Sequence, residues 1–284
     1  MSGRLGRALA PVLLLAALVV ACTPGDDGSS AGTTAPTVPP TTTSLPPGGR
    51  QPTPQDPLRV TFAGDSVMAE VAPALIQALE GTRESRARFL LAPSIARGGA
   101  GGVIWNRELE RHRPELIVLL VGFWEDKIVG ETASGQPGWA QQYRRTVVDP
   151  FLDMITRDGA KVLWIGMAAV ADPTVTARFA RMNSVYVTAA DARDDVDFLP
   201  AGEYLSTPDG RFATVLPAPA SGVPQTVRRT DGLHICPDGV VRLGQPVLEV
   251  IAEQWNIDAA YGWQQGSWRR PPLLHAPEEC PAPV

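Results

Sequence analysis

The sequence predicts an α/β domain whose parallel sheet is covered by helices on both faces. Three observations predict it. Short aliphatic and β-branched runs alternate with longer helical patterns along the chain. The strongest run, Leu116–Val121 (Leu-Ile-Val-Leu-Leu-Val), is continuously apolar, as a strand covered on both faces should be. Glycines close several of the runs, at Gly64, at Gly98–Gly102 and at Gly122, where the chain must turn without a Cβ in the way.

Each element has its own signal. Leu58–Ala63 reads as a short buried strand through Val60 and Phe62. Val67–Leu79 is an apolar helical pattern with Gly81 as its stop. Arg88–Ala92 reads as the second strand and leads through Ser94 and Ile95 into the glycine cluster. Val103–His112 is a helix that Pro114 breaks. After Leu116–Val121 a helical stretch covers Trp139–Arg157, with Pro150 as a candidate break. Lys161–Gly166 is the next strand, Thr174–Ala189 a helix, Val196–Leu199 a short strand and Asp238–Trp255 the last helix.

The domain expected from these elements spans 58–258, and a Pro-rich tail covers 259–284. The first 21 residues carry Arg4 and Arg7 and then an apolar run, Ala8–Ala21, shorter than the roughly 20 residues a membrane span needs. This describes an export signal. Its end, Val19-Val20-Ala21-Cys22, resembles the lipobox of bacterial lipoproteins, which implies lipidation at Cys22. The alternative is an ordinary cleaved signal. Residues 22–57 are rich in Thr, Pro, Ser and Gly and cannot bury a core, so they read as a tether with an r.m.s. reach of about 30–35 Å. The expected location is therefore extracytoplasmic, on the outer face of a bacterial cell membrane.

The chain is 44% hydrophobic with a net charge of −5, and no basic patch suggests a nucleic-acid partner. No phosphate-binding glycine loop is present, and His112, His234 and His275 lack metal-ligand spacing, so neither a cofactor nor a metal is expected. Cys236 and Cys280 are an even pair in an exported chain. They read as a disulfide tying the tail to the segment after His234, with two free thiols as the alternative.

Ser66 follows the first strand in Gly64-Asp65-Ser66. At the carboxyl end of a strand its hydroxyl is placed as a nucleophile's would be, yet serine is equally suited to capping the next helix. Asp231-Gly232-Leu233-His234 precedes the last helix. Histidine is the base that a serine hydroxyl needs, and an aspartate three residues away is able to set its tautomer. Arg228 and Arg229 beside it read as a surface charge pair. Asp65 reads as a turn brace, and His112 as a solvated helix end. Trp139 and Trp263, in Gly-rich stretches, are candidate sugar platforms. The other tryptophans read as core or rim.

In this order, Gly-Asp-Ser, a glycine cluster, Gly122-Phe123-Trp124-Glu125 and Asp-x-x-His, the chain resembles the SGNH (GDSL-type) hydrolases over roughly 58–255. The resemblance implies a flavodoxin-like three-layer α/β/α sandwich and serine esterase or acyltransferase activity. It makes Ser66 the nucleophile, His234 the base and Asp231 its orienter. Oxyanion donors fall on the Ser66 N–H and on Gly98 (or Gly99). Tryptophan stands where the family has an asparagine donor. Trp124 either donates through its indole N–H, or is dispensable beside two backbone donors, or marks a dead site. Gly-x-Trp-Glu is similar to the extracytoplasmic SGNH domains of actinobacterial membrane acyltransferases. That similarity implies an acylated carbohydrate or other small ester, acetyl above all, as substrate and a membrane acyltransferase as partner. Glu125 is either structural or orients a loop arginine. A non-catalytic module binding glycan or a partner acyltransferase is the second reading.

Overall fold

The computed structural model describes residues 48–96, 98–130, 135–270 and 277–283. The expected export signal, Cys22, residues 22–47 of the expected tether and His275 lie outside the described residues.

Five strands form one sheet in the order β2-β1-β3-β4-β5, with every neighbouring pair parallel. They are β1 (Leu58–Gly64), β2 (Ser85–Leu91), β3 (Leu116–Leu120), β4 (Lys161–Ile165) and β5 (Val196–Leu199). This is the flavodoxin-like doubly wound order. The chain leaves β1 outward to β2 and returns across it to β3, so the topological switch point lies between β1 and β3.

The central strand β3 shows why a continuous apolar run was needed. Leu116, Val118 and Leu120 pack into one core with α1 (Ser66–Glu80) and the last long helix, α8 (Pro237–Trp255). Ile117, Leu119 and Val121 pack into a second core on the opposite face. Helices α2 (Gly98–Arg111), α5 (Asp149–Thr156) and α6 (Pro173–Ala190) cover that face. Residues one apart on a strand point to opposite faces, so each face takes its own half of the run. Large side chains such as Phe62, Trp105 and Trp164 are fully enclosed, each worth roughly 2–3 kcal/mol of apolar burial.

The other elements are short. They are α3 (Phe123–Glu125), a π turn at Asp126–Gly130, α4 (Trp139–Tyr143), a π turn at Arg144–Val148 and α7 (Gly202–Leu205). A two-stranded antiparallel pair, β6 (Val215–Pro217) and β7 (Pro224–Thr226), was not legible in a region of scattered prolines. Pro150 does not break the expected helix. The turn before it widens to π geometry, and Pro150 then enters near the start of α5, where its missing N–H matters least.

The folded unit also reaches past both boundaries read from composition. Gly48 donates its N–H to Gln254 O at 2.7 Å, and Arg50 pairs with Glu115 at 2.6 Å, so the end of the expected tether lies against the domain. Trp263 and Trp268 in the expected tail are buried against α1. Gln77 on α1 accepts from Ser267 Oγ and from the Trp268 N–H. Trp139 is buried as well, so neither Trp139 nor Trp263 offers a ring face to a sugar. His112 is half-buried, with Nε2 3.3 Å from Val60 O, and burial lowers its pKa. It is not the solvated helix end expected.

Candidate active site

The site lies at the carboxyl ends of β1 and β3. Gly64 is required there, because a Cβ on it would stand 1.9 Å from Leu120 O. Asp65, not Ser66, caps α1. Its Oδ1 accepts the Val67 N–H at 3.0 Å, and its Oδ2 accepts the Gly122 and Phe123 N–H groups at 3.1 and 3.2 Å. Asp65 therefore braces more than its own turn: it joins the turn after β1 to the turn after β3. Burial raises its pKa, and those three N–H groups oppose the rise. With the cap supplied by its neighbour, Ser66 is the first residue of α1 and its hydroxyl is free to face elsewhere.

It faces His234. Ser66 Oγ is 2.9 Å from His234 Nε2, and His234 Nδ1 is 2.6 Å from Asp231 Oδ2. Serine, imidazole and carboxylate thus form one hydrogen-bonded line. Local turn chemistry holds the last two together. Asp231 Oδ1 accepts the Leu233 and His234 N–H groups at 2.9 and 3.0 Å, an Asx turn that aims the second oxygen at the ring. Gly232 between them has φ +75°, a conformation that glycine takes without strain, and a Cβ there would meet Ala171 Cβ at 2.3 Å. Burial pushes the Asp231 carboxyl up. The Leu233 N–H, the His234 ring and the His234 N–H outweigh that and leave it below the usual carboxylate range.

Arg228 and Arg229 are not a surface pair: both are buried. Arg228 donates to Leu233 O at 2.6 Å and to Ala169 O at 2.9 Å, which pins the His234 loop to the segment after β4. Burial lowers its pKa to about 10. Arg229 bridges Glu70 and Glu279 at 2.6 and 2.7 Å. Cys236, two residues beyond His234, is disulfide-bonded to Cys280.

On the other side of the serine, Glu125 is fully buried, and Arg97, the arginine of the neighbouring loop, lies outside the described residues. It accepts from Ser94 Oγ at 2.5 Å, the Ile95 N–H at 2.8 Å, the Ala96 N–H at 3.3 Å and Tyr143 OH at 2.5 Å. It therefore shapes the loop that leads into Gly98, the first residue of α2. Its neighbour Asp126, equally buried, is held by Arg178 through contacts of 2.7, 2.8 and 3.0 Å. Trp124 is half exposed at 50%. A cavity of about 30 Å³ lies behind the serine turn, lined in part by Val67, Gly122, Phe123, Met167 and Leu233. Among the described residues no group of His, Cys, Asp and Glu is placed to hold a metal, and no helix is long and apolar enough to cross a membrane.

Reading by motif missed Glu70, Ser94, Tyr143 and Arg178. Only Glu70 had a visible signal, as a lone acid within the apolar pattern of α1.

The chain belongs to the family described as DUF459, protein of unknown function, whose model matches residues 59–250. No curated protein matches the chain. Similar solved structures include a putative acylhydrolase from Bacteroides fragilis, 14% identical, with 72% of this chain and 90% of that one covered and a TM-score of 0.47. A putative platelet activating factor from Streptococcus pneumonia is 18% identical, with 69% and 84% covered and a TM-score of 0.46. A family 3 carbohydrate esterase from Clostridium thermocellum is 12% identical, with 68% and 94% covered and a TM-score of 0.43. At these levels the reading of the site rests on this chain's own geometry.

Proposed function

We propose that the chain is a serine esterase or O-acyltransferase, with Ser66 as nucleophile, His234 as general base and Asp231 as its orienter. The observation that carries this is the line Ser66 Oγ–His234 Nε2, His234 Nδ1–Asp231 Oδ2, with separations of 2.9 and 2.6 Å. Ser66 Oγ attacks the ester carbonyl while His234 takes its proton. The tetrahedral oxyanion is held by the Ser66 and Gly98 N–H groups, each in the first turn of a long helix, where N–H groups lack intrahelical acceptors. His234 returns the proton to the leaving alcohol. Water or a sugar hydroxyl then attacks the acyl-serine, losing its proton to His234; the acyl–Oγ bond breaks, and His234 passes that proton to Ser66 Oγ, which restores the free serine.

A small acyl group such as acetyl is what the resemblance favours. The finer reading is an envelope-anchored enzyme for acyl esters of cell-envelope carbohydrate, lipidated at Cys22 and working beside a membrane acyltransferase. It rests on the N-terminal sequence and the Gly-x-Trp-Glu resemblance. The second reading is an SGNH-fold binding module. Trp124 favours it, since a half-exposed indole stands where the family has an asparagine donor.

One experiment separates these readings: fluorescent fluorophosphonate labelling and aryl-acetate turnover of the full chain. Ser66→Ala is expected to lose both, and full turnover in Ser66→Ala would overturn the esterase reading. Trp124→Ala is expected to fall about 10²–10³-fold in kcat if the indole donates, and to keep its rate if backbone donors suffice. A folded wild type that never labels points to the binding module. Fractionation of the labelled cells tests the anchor: the labelled band should follow membranes, and the band from Cys22→Ala should not.

A further inference from the structure

Glu70 is buried in the middle of the apolar face of α1, and the reaction above does not use it. It lies four residues beyond Ser66, so one helical turn carries both side chains on one face. Its carboxyl reaches both ends of the loop that holds the base. Oε2 accepts the N–H of Ile235, the residue after His234, at 2.7 Å, and Oε1 meets Arg229 Nη2 at 2.6 Å. The loop closes on itself at the same place, through Arg229 N–H to His234 O at 3.0 Å and an isolated bridge between Arg228 and Ile235. From Arg229 the network runs outward. Glu279 takes its other arm, the Thr230 N–H donates to Glu279 O at 3.0 Å, and Cys280 is bonded to Cys236.

We propose that Glu70 is a positioning residue, which sets the Ser66–His234 distance by gripping both ends of the base loop from the helical turn that carries the nucleophile. The inference rests on the reading of Ser66, Asp231 and His234 as catalytic. A rigid turn links the nucleophile to the handle of its base, so the two move together. The serine and histidine are otherwise 168 residues apart in the chain and share no element. Misplacing a reacting group by about 1 Å is enough to lose roughly 10²-fold in rate.

The test uses the full chain and two readouts. Glu70→Ala removes both grips, while Glu70→Gln keeps an oxygen for the Ile235 N–H. Folded Glu70→Ala is expected to lose about 10²-fold in kcat with KM within about twofold, and Glu70→Gln less than about tenfold. A merely structural carboxylate would lower the melting temperature without moving kcat of the folded protein. The second readout needs no turnover. The proton between His234 and Asp231 should give a far-downfield resonance, assigned by its loss in His234→Gln. It should vanish or shift in Glu70→Ala and persist in Glu70→Gln.

Folded Glu70→Ala with wild-type kcat and an unmoved resonance overturns the proposal and leaves the esterase reading intact. A wild type with no serine-dependent turnover, whose resonance still responds to Glu70→Ala, overturns the esterase reading and keeps the positioning role. If Glu70→Ala does not fold, Glu70→Asp decides the matter. It keeps the charge but ends one methylene short, and is expected to lose about tenfold in kcat; unchanged kcat overturns the proposal.

Discussion

The two sides of Ser66 are held in different ways. On the side of the turn after β3, Asp65 and Glu125 meet backbone N–H groups and hydroxyls, with no cation among their hydrogen-bond partners in the described residues. On the base side, Glu70 and Glu279 converge on Arg229, and a disulfide closes the edge. The difference follows from where each loop begins. Loops at the ends of β1, β2 and β3 leave neighbouring strands already in register, so a buried carboxylate has only to collect nearby N–H groups. The base loop leaves no strand of the sheet. Its place comes from long-range ties to α1, to the segment after β4 and to the C-terminal residues.

The largest effect should come from breaking the side of the turn after β3. Glu125→Leu removes the acceptor of the buried Ser94 hydroxyl and of the Ile95 N–H, while the Tyr143 hydroxyl keeps Tyr186 OH at 3.3 Å. With each stranded group costing about 1–3 kcal/mol, a loss of roughly 2–6 kcal/mol is expected in denaturant unfolding. A change under about 1 kcal/mol would mean that the loop reorganises and the carboxylate is not its organiser.

Breaking the base side should be milder and separable. Cys280→Ser opens a closed loop of 44 residues in sequence, for a loss of about 2–4 kcal/mol in denaturant unfolding. Since Glu70 still grips the loop, kcat of the folded variant should stay within a few-fold of wild type. A collapse of kcat would transfer the positioning role from Glu70 to the disulfide.

The most gradual effect is a slope with pH. Burial pushes the Glu70 carboxyl up to about 7, against the pull of the Ile235 N–H, His234 and Arg229. The folded chain then holds this proton more tightly than the unfolded chain does. The stability it contributes is fully present below about 4.5 and declines as pH rises to about 7, by at most about 1.4 kcal/mol per pH unit. Glu70→Gln cannot titrate, so the stability difference between wild type and Glu70→Gln should drift across that window. A constant difference from pH 4.5 to 7.5 would show that Arg229 keeps the carboxylate ionised throughout.

Much of this was legible in the chain. Continuous apolar runs, helical periodicity and glycine turns are local signals, and they placed all five sheet strands and the long helices to within a few residues, except that α2 begins at Gly98, inside the glycine cluster read as a loop before Val103. Ser66, Asp231 and His234 were legible because each motif is short and its turn is built from its own residues. The Asx turn of Asp231 is closed by the N–H groups of Leu233 and His234 alone. The antiparallel pair β6–β7 was not legible, because three-residue strands among prolines carry no period. Arg228 and Arg229 were misread as a surface pair because burial of a charge depends on partners that arrive from distant parts of the chain.

The sequence by itself determined the alternation of strands and helices, and hence a parallel sheet. It also placed a serine, an aspartate and a histidine in turns suited to them. Only the tertiary structure decided that Asp65 rather than Ser66 caps α1, that Ser66 meets a histidine 168 residues away, and that Glu70 and Glu125 are buried. The reason is physical. Periodicity and turn chemistry act between neighbours in the chain, whereas the partners that satisfy a buried charge are chosen by packing.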